Sequence, residues 1–421
     1  MCGFFYTNNK NLKPDLSDLI VRGPDETNTL INEYGFFHHS RLITRPNSVT
    51  QPATNKDGIL LYNGTEYSLE ENDTTFILNN LSNSVSDNLD FLKLLNGDFS
   101  ICFVTDEYIF LARDCFATKP LFFSINNNEI VVASTELALK SIGHNPYRVS
   151  ENSLYVITRK NLQLIHKFSI VNFNINQYVN SYDTVFESFE KSVLNKYTDD
   201  SFLSLSSGYD TGCIAACLTK YKKNYNIISY PRYENNEILS ARAKLTKGER
   251  LIIDNKKFVE GRESIKTLPF YDVLQTEEEI CTIVHASAQF ASKKNYRVNL
   301  TGNGGDDIFS DYSDRGKRLN YKNSFSGIFP QDLSIIWPYI LKANGSTYEH
   351  VPLSDYINGI FGIDTRHPLL DKHLIQHFLN LKVELKNNVY KNWLNFYMRE
   401  LSYPFANEKS AIGGHEIISL N

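Results

Sequence analysis

The sequence predicts a two-domain protein: an α+β half built on stacked antiparallel sheets, then an α/β half built on a parallel sheet. Three observations predict it. Over roughly residues 2–170, short apolar strands recur at hairpin spacing with few helical stretches between them. From about residue 200 onward, strand and helix patterns alternate, as in a sheet flanked by helices. Between the two, the polar stretch 172–180 reads as a boundary and divides the chain into domains at 2–175 and 176–421.

Taken in order, residues 2–10 open with Cys2-Gly3-Phe4-Phe5-Tyr6-Thr7, an apolar strand at the chain end, which implies an end tied into a sheet. Arg22-Gly23-Pro24-Asp25 is a turn signature. Strands are predicted at 34–37, at 59–62 running into an Asn63-Gly64 turn, and at 96–103, 108–112, 121–124 and 129–133. A short helix at 135–142 and strand pieces at 153–158 and 162–168 complete this half. A helix at 184–196 leads into the second half, with strands at 202–205, 225–230, 250–253 and 297–300. Helices are predicted at 213–220, 238–245 and 277–293. The last carries Ile280, Val284, Ser287, Ala288 and Ala291 at helical spacing.

Four stretches carry candidate chemistry. If Met1 is removed, Cys2 places a thiol beside its own α-amine, whose ordinary pKa near 8 suits it to take the thiol proton. The alternative is an incidental small residue. At Asn63-Gly64, a side-chain amide and a backbone N–H could offer two donors to one oxyanion, or simply form a hairpin turn. Residues 202–211, Phe-Leu-Ser-Leu-Ser-Ser-Gly-Tyr-Asp-Thr, read as strand, small-residue turn and helix start. That arrangement is an anion site or an ordinary strand-to-helix turn. It is not a Walker A loop, since no Gly-Lys-Ser/Thr follows. Thr301-Gly302-Asn303-Gly304-Gly305-Asp306-Asp307 ends a strand where open α/β sheets bind ligands, and its carboxylates beside a phosphate loop would suit Mg²⁺. The alternative there is a solvated Gly-Asp turn.

Composition narrows the classes. The 421 residues are 42% apolar and 22% charged, with net charge −5 and no basic excess pointing to nucleic acid. No apolar run approaches the roughly 18 residues of a membrane span. The N-terminus lacks a signal-peptide layout, and cysteines 2, 102, 115, 213, 217 and 281 show neither a disulfide framework nor paired zinc spacing. These features lead to the expectation of a cytoplasmic protein.

Five motifs in order, Cys2-Gly3-Phe4, Arg22-Gly23-Pro24-Asp25, His39-x-Arg41-Leu42, Asn63-Gly64 and Asn96-Gly97-Asp98-Phe99, resemble the class II glutamine amidotransferase domain over roughly 2–170. The resemblance implies a four-layer αββα N-terminal-nucleophile sandwich that hydrolyses glutamine to ammonia. Carried onto the matching positions, Cys2 is the nucleophile, Asn63 and Gly64 form the oxyanion hole, Arg41 holds the glutamine α-carboxylate, and Leu42 is a further glutamine-binding residue. Asn63 also contacts the glutamine, and Asp73 holds its α-amine. One departure is that the Glu usual after Asn-Gly is displaced: Thr65 follows, then Glu66.

The second half resembles the ATP-pyrophosphatase-type domain of glutamine-hydrolysing asparagine synthetases. Ser206-Ser207-Gly208-Tyr209-Asp210-Thr211 is similar to the Ser-Gly-Gly-x-Asp-Ser pyrophosphate loop, and Thr301-Gly302-x-Gly304-x-Asp306-Asp307 to Ser-Gly-x-Gly-x-Asp-Glu. Arg366-His367-Pro368-Leu369-Leu370-Asp371 resembles Arg-Val-Pro-Phe-Leu-Asp, and Glu408-Lys409-Ser410 before Ile412-Gly413-Gly414 resembles a C-terminal lysine loop. The resemblance implies ATP and Mg²⁺ as cofactors. ATP and pyrophosphate would contact Leu205, Ser206, Ser207, Gly208, Asp210, Thr211, Thr301 and Gly302, with Asp210 and Asp306 at the metal and Lys409 catalytic. It implies glutamine and an acceptor carboxylate, aspartate or similar, as partners, with no nucleic acid or membrane, and it is compatible with a homodimer. An apolar route for ammonia is expected between the domains. Ser207, Thr211 and Asn303 stand where the pattern has Gly, Ser and Glu. Loss of the Glu carboxylate at 303 leaves open an acceptor other than aspartate: a sugar acid, a peptide or a natural-product precursor. A non-catalytic protein that senses glutamine or ATP is the reading from another class.

Overall fold

A computed structural model describes residues 1–45, 49–69, 72–268, 278–311, 313–314, 317–318, 325–339 and 346–406. The chain forms two compact units, Met1–Phe173 with Gly359–Asp364, and Asn174–Asn358 with Thr365–Asn421.

The first unit is built on two six-stranded antiparallel sheets. One contains β1 (Gly3–Thr7), β2 (Glu26–Asn32), β3 (Gly35–Arg41), β8 (Phe122–Asn126), β9 (Glu129–Ala133) and β10 (Tyr147–Arg148), in the order β10-β8-β9-β1-β3-β2. The other contains β4 (Ala53–Thr54), β5 (Gly58–Glu66), β6 (Gly97–Thr105), β7 (Tyr108–Arg113), β11 (Ser153–Thr158) and β12 (Leu164–Ser169), in the order β12-β11-β7-β6-β5-β4. Strand alternation explains the layering. Phe4, Tyr6, Phe37, Ile59, Leu61 and Cys102 pack between the sheets. Leu60, Tyr62, Phe99 and Ile101 face outward onto α2 (Asp73–Asn80) and α3 (Val85–Leu94), through Ile77, Leu78, Phe91 and Leu92. On the opposite side, Phe5, Val131 and Ala133 meet α1 (Ser17–Arg22) and α4 (Glu136–Lys140) through Leu19, Ala138 and Leu139. The result is the αββα sandwich.

Two local expectations are corrected here. Asn63-Gly64 is not a turn: β5 runs through it to Glu66, in register with β6. Gly64 is needed because β6 approaches so closely that a Cβ there would lie 2.1 Å from the Asp98 carbonyl oxygen. The first half also carries more helix than its strand pattern implies. The helices α1, α2 and α3 and the strand β2 lay outside the expected elements. β2 alternates half-buried and exposed residues along a sheet edge, so its polar sequence resembles a loop.

The second unit holds a five-stranded sheet, β13 (Ser201–Ser204), β14 (Asn226–Ser229), β15 (Arg250–Ile252), β16 (Val298–Leu300) and β19 (Asp364–Arg366), ordered β15-β14-β13-β16-β19. A two-residue pair, β17 (Ser313–Asp314) and β18 (Lys317–Arg318), lies apart from it. β13 pairs in parallel with β14 on one side and β16 on the other, and β14 in parallel with β15. Phe202, Leu203, Val298 and Leu300 are fully buried, as strands covered on both faces require. The order reverses at β13, so the crevice at its C-terminal end is the place where such sheets take ligands. α5 (Asp183–Lys196) enters this unit, and α6 (Tyr209–Lys220), α7 (Asn236–Ala243) and α8 (Asn255–Ile265) follow successive strands. α6 begins four residues earlier than its apolar pattern indicates, so Tyr209, Asp210 and Thr211 form its first turn rather than the loop. The helix predicted from 277 is Glu278–Lys293, and residue 277 lies outside the described residues.

Candidate functional sites

In the first unit, Cys2 leads into β1 and is buried beside β5 and the end of β3. Its backbone N–H donates to Asn63 Oδ1 at 2.7 Å. With Oδ1 committed, Asn63 presents Nδ2 as its donor, and that atom is buried with no hydrogen-bond partner among the described residues. A buried amide donor left unmet costs about 1–3 kcal/mol, which marks a place prepared for an acceptor. The Gly64 N–H points to the same strand edge as those of Tyr62 and Glu66, because successive amides alternate along a strand. Tyr62 N donates to Gln51 Oε1 at 2.7 Å and Glu66 N to Asp73 Oδ2 at 3.2 Å, so Gly64 lies between two groups that already bind that edge.

The Leu42 backbone N–H faces the Cys2 thiol. Burial pushes the thiol up from its ordinary value, while the terminal amine and the Leu42 N–H pull against that rise. Arg41, at the end of β3, pairs through Nη2 with Glu26 directly across the register. Its Nε and Nη1 are buried without a hydrogen-bond partner among the described residues, leaving donor capacity for a carboxylate. Asp73 is the first residue of α2, after an Asn72 cap that accepts the Thr75 N–H at 3.0 Å. Burial raises the Asp73 carboxyl, and its charge is felt at the Cys2 thiol. Cys2, Leu42, Asn63 and Asp73 are therefore drawn together, with Arg41 adjacent in the chain. The displaced acid Glu66 bonds Ser68 N at 3.0 Å and Ser68 Oγ at 2.6 Å. It falls on the strand face opposite Thr65.

The turn motif at 22–25 has a structural explanation. Asp25 N donates to the Arg41 carbonyl at 3.1 Å and Asp25 Oδ2 accepts the Ile43 N–H at 2.7 Å, which pins both sides of Arg41-Leu42. Gln51, Lys119 and Asp364 went unnoticed in the sequence. Gln51 Nε2 also donates to the Tyr62 carbonyl at 3.1 Å, so its amide fixes the β5 edge just before Asn63. Lys119 Nζ donates to Asp364 Oδ1 at 2.7 Å in a fully buried pair, with the Met1 amine 3.7 Å from the same oxygen. Their separation of 245 residues left no local spacing to read.

In the second unit, the loop 205–208 follows β13. Thr211 Oγ1 accepts the Ser206 N–H at 3.1 Å, and Ser206 Oγ accepts the Gly208 N–H at 3.1 Å, so two hydroxyls hold the turn. Leu205 N donates to the Ile228 carbonyl at 2.9 Å, anchoring the loop's start to β14. Thr301 Oγ1 bonds His367 Nδ1 at 2.6 Å and Thr301 N donates to the Arg366 carbonyl at 3.0 Å, so the arginine–histidine motif underlies the second loop. Asp371 caps the helix Lys372–Asn380 through the amides of His373 and Leu374. Gly302 and Gly305 are required by the approach of Asp210. A Cβ on Gly305 would lie 2.2 Å from Asp210 Oδ1, and one on Gly302 2.9 Å from Asp210 Cβ.

Asp210 and Asp306 share a cation that the sequence did not reveal. Lys391 Nζ lies 2.6 Å from Asp210 Oδ2 and 3.0 Å from Asp306 Oδ1, and is 3% exposed. Burial alone would lower the ammonium, but the two carboxylates hold it well above its ordinary value. Two carboxylates within reach of one cation fit Mg²⁺, which takes one or two protein carboxylates and completes its shell with phosphate oxygens and water. No group of three or more His, Cys, Asp or Glu able to hold a metal occurs among the described residues. Asn303 Nδ2 donates to Ser354 Oγ at 3.3 Å. Arg242 is a second unforeseen residue: fully buried, it donates through Nη1 to the Ser206 carbonyl at 2.6 Å and the Gly208 carbonyl at 2.8 Å. Lys409 lies outside the described residues. No helix among the described residues is long and apolar enough to cross a membrane.

Residues 1–178 match the glutamine amidotransferase domain family. A Methanocaldococcus jannaschii protein named "Putative asparagine synthetase [glutamine-hydrolyzing] 1" is 22% identical over 395 residues, covering 84% of this chain and 70% of the relative. Among solved structures, glutamine phosphoribosylpyrophosphate amidotransferase from B. subtilis aligns at 15% identity and a TM-score of 0.34. That alignment covers 60% of this chain and 65% of the other. An allosteric regulatory enzyme of purine biosynthesis aligns at 12% identity and a TM-score of 0.30, covering 60% and 74%. Residues 1–178 therefore match a glutamine amidotransferase domain, and the chain over most of its length is similar to a putative glutamine-hydrolysing asparagine synthetase.

Proposed function

We propose that this protein is a glutamine-dependent ligase that transfers glutamine's amide nitrogen to a carboxylate activated by ATP, with aspartate as acceptor and asparagine as product. The observation that carries the reading is the contact between Cys2 N–H and Asn63 Oδ1, with Asn63 Nδ2 left unmet. Excision of Met1 would turn that N–H into an α-amine already held by Asn63, next to the thiol it must deprotonate. His39 is unsuited to the task. Its Nε2 bonds the Tyr62 carbonyl at 3.1 Å, and burial holds the ring down to about 3. The Cys2 thiolate then attacks the glutamine amide carbon, and the oxyanion is met by Asn63 Nδ2 and the Gly64 N–H. Collapse expels ammonia, which carries off the thiol proton, and water hydrolyses the resulting thioester to glutamate. Arg41 would meet the substrate carboxylate and Asp73 its ammonium.

In the second unit the loop 205–208 and the start of α6 would receive the pyrophosphate portion of ATP, with Thr301 and Gly302 alongside. Asp210 and Asp306 would hold Mg²⁺, which when bound neutralises phosphate charge. A second reading, amidation of a different carboxylate, is favoured by one observation. Asn303 and Ser354 make a neutral amide–hydroxyl pair where a carboxylate could have met an acceptor ammonium.

The test supplies purified protein with ATP, Mg²⁺, glutamine and a panel of carboxylates including aspartate. AMP and asparagine are the expected products. AMP and amide formed only with another acid would select the second reading. Cys2→Ala should abolish glutamine-driven synthesis and leave ammonia-driven synthesis intact. Product from neither nitrogen source with any carboxylate would refute the ligase reading.

A further inference from the structure

The loop 205–208 already holds an anion. Ser207 N–H donates to Glu234 Oε2 at 2.5 Å, and the Ser207 hydroxyl donates to the same oxygen. Asn235 N closes the arrangement by donating to Ser207 Oγ at 3.0 Å. Glu234 follows β14 and the short turn Pro231–Tyr233, and precedes α7. It therefore reaches the crevice from the strand beside β13.

Arg242 explains why this face of the loop attracts a negative charge. In a trans peptide the C=O and the following N–H point in opposite directions. The Arg242 guanidinium grips the carbonyls of Ser206 and Gly208, so it turns the N–H groups of Ser207 and Tyr209 toward the other side. The guanidinium is itself fixed by donating through Nε to the Pro404 carbonyl at 2.9 Å and by lying 5.5 Å from the centre of the Tyr403 ring. Gly212 leaves room for it, since a Cβ there would lie 2.5 Å from its atoms. The outward N–H of Ser207 is the one that Glu234 occupies.

We propose that Glu234 is an internal stand-in for the pyrophosphate of the nucleotide, seated on the loop by Ser207 and displaced when the nucleotide binds, with Arg242 as the positioning residue that aims the loop. The inference rests on the nucleotide reading of this loop and deepens it: nucleotide affinity is set by competition with a carboxylate of the chain itself. Ser207, where the related loop pattern has Gly, adds the hydroxyl that strengthens the competitor's hold. Removing the negative charge at 234 should thus raise affinity, whereas a residue that contacts the ligand would lower it on substitution.

The experiment titrates the full chain with inorganic pyrophosphate, and separately with ATP and Mg²⁺, by calorimetry, in the wild type, Glu234→Gln and Ser207→Gly. Binding about three- to tenfold tighter is expected in both variants, the ratio corresponding to the fraction of loops that Glu234 holds closed. Arg242→Lys, assayed at a temperature where the variant stays folded, should weaken pyrophosphate binding even when Glu234→Gln is added, a loss that the competing carboxylate alone would not give. If Glu234→Gln fails to fold, Ser207→Gly decides alone. Unchanged or weaker binding in the variants, with the wild type binding normally, overturns the inference. Absence of binding in the wild type would instead overturn the nucleotide reading on which it rests.

Discussion

Replacing Lys391 with Met tests whether the acidic pair is built for a cation. The substitution keeps most of the side-chain volume and removes the charge. Asp210 Oδ2 and Asp306 Oδ1 then face each other across a distance no greater than the two contacts combined, about 5.6 Å. At an effective dielectric near 20, two unit charges that close repel by about 3 kcal/mol. The carboxylate side chains are 18% and 27% exposed, so water relieves part of this repulsion. Loss of a buried ammonium's own bonds works in the opposite direction, and a net destabilisation of about 2–4 kcal/mol results. For a unit of this size that is a fall in Tm of roughly 5–10 °C. The assay is thermal unfolding of the full chain in chelator and in millimolar Mg²⁺. Without nucleotide the wild type should respond little, because Lys391 satisfies the pair and Mg²⁺ would arrive with the phosphates, whereas Lys391→Met should recover most of its loss in Mg²⁺. Asp210→Asn added to Lys391→Met should stabilise, although alone it destabilises. A fall below about 1 °C, or no reversal of sign in the double variant, would refute the charge argument.

Two further outcomes follow from the first unit. Asn63→Ala removes the unmet amide donor and should lower the glutaminase kcat by about 10²–10³, read as glutamate release, with ammonia-driven synthesis unaffected. Burial holds His38 down to about 4 and His39 to about 3, so between those values and 6.5 the unfolded chain binds up to two more protons than the folded one. Stability should therefore be complete above pH 6.5 and fall on acidification by up to about 2.7 kcal/mol per pH unit. Urea unfolding from pH 7 to 4 should show this slope, His39→Gln should remove about half of it, and an unaltered slope in the variant would contradict the assignment.

Legibility in the sequence followed the range over which each feature is determined. The strands that follow Cys2 and lead to Asn63 and Ser206 were readable because alternation and turn chemistry are local. So was the layered character of each half. The strand status of Asn63-Gly64 was not readable, because it depends on β6 lying against Gly64, some thirty-five residues further along. The early start of α6 was hidden for a similar reason. Ser, Gly and Asp are turn residues by propensity, and only the Ser206–Thr211 hydroxyl contacts and the aspartate's commitment to Lys391 hold them at a helix start. Lys391, Arg242 and Glu234 carry no motif. Each is defined by a partner 27 to 181 residues away, and a single charged residue in a polar stretch resembles any solvated one.

The three departures in the second unit differ in what they preserve. Thr211 keeps the hydroxyl that accepts the Ser206 N–H, and its extra methyl group is buried, so the loop's internal bond survives the exchange. Ser207 adds a hydroxyl where no side chain was needed, and the added group is used at once, on Glu234. Both changes leave the loop's backbone donors in place and alter only what competes for them. Asn303 is different in kind, because it removes a charge and spends the remaining amide on Ser354. A hydrogen bond to a charged group contributes about 1.5–3 kcal/mol against about 0.5–1.5 for a neutral pair. On the proposed reading, an acceptor ammonium at this position would thus lose roughly tenfold in binding relative to a carboxylate-bearing loop, whereas an acceptor presenting an amide or hydroxyl there would lose little. On the same reading, nucleotide chemistry and acceptor choice are separable in this chain, the first assigned to Ser206, Asp210, Thr211 and Asp306 and the second to Asn303 and Ser354.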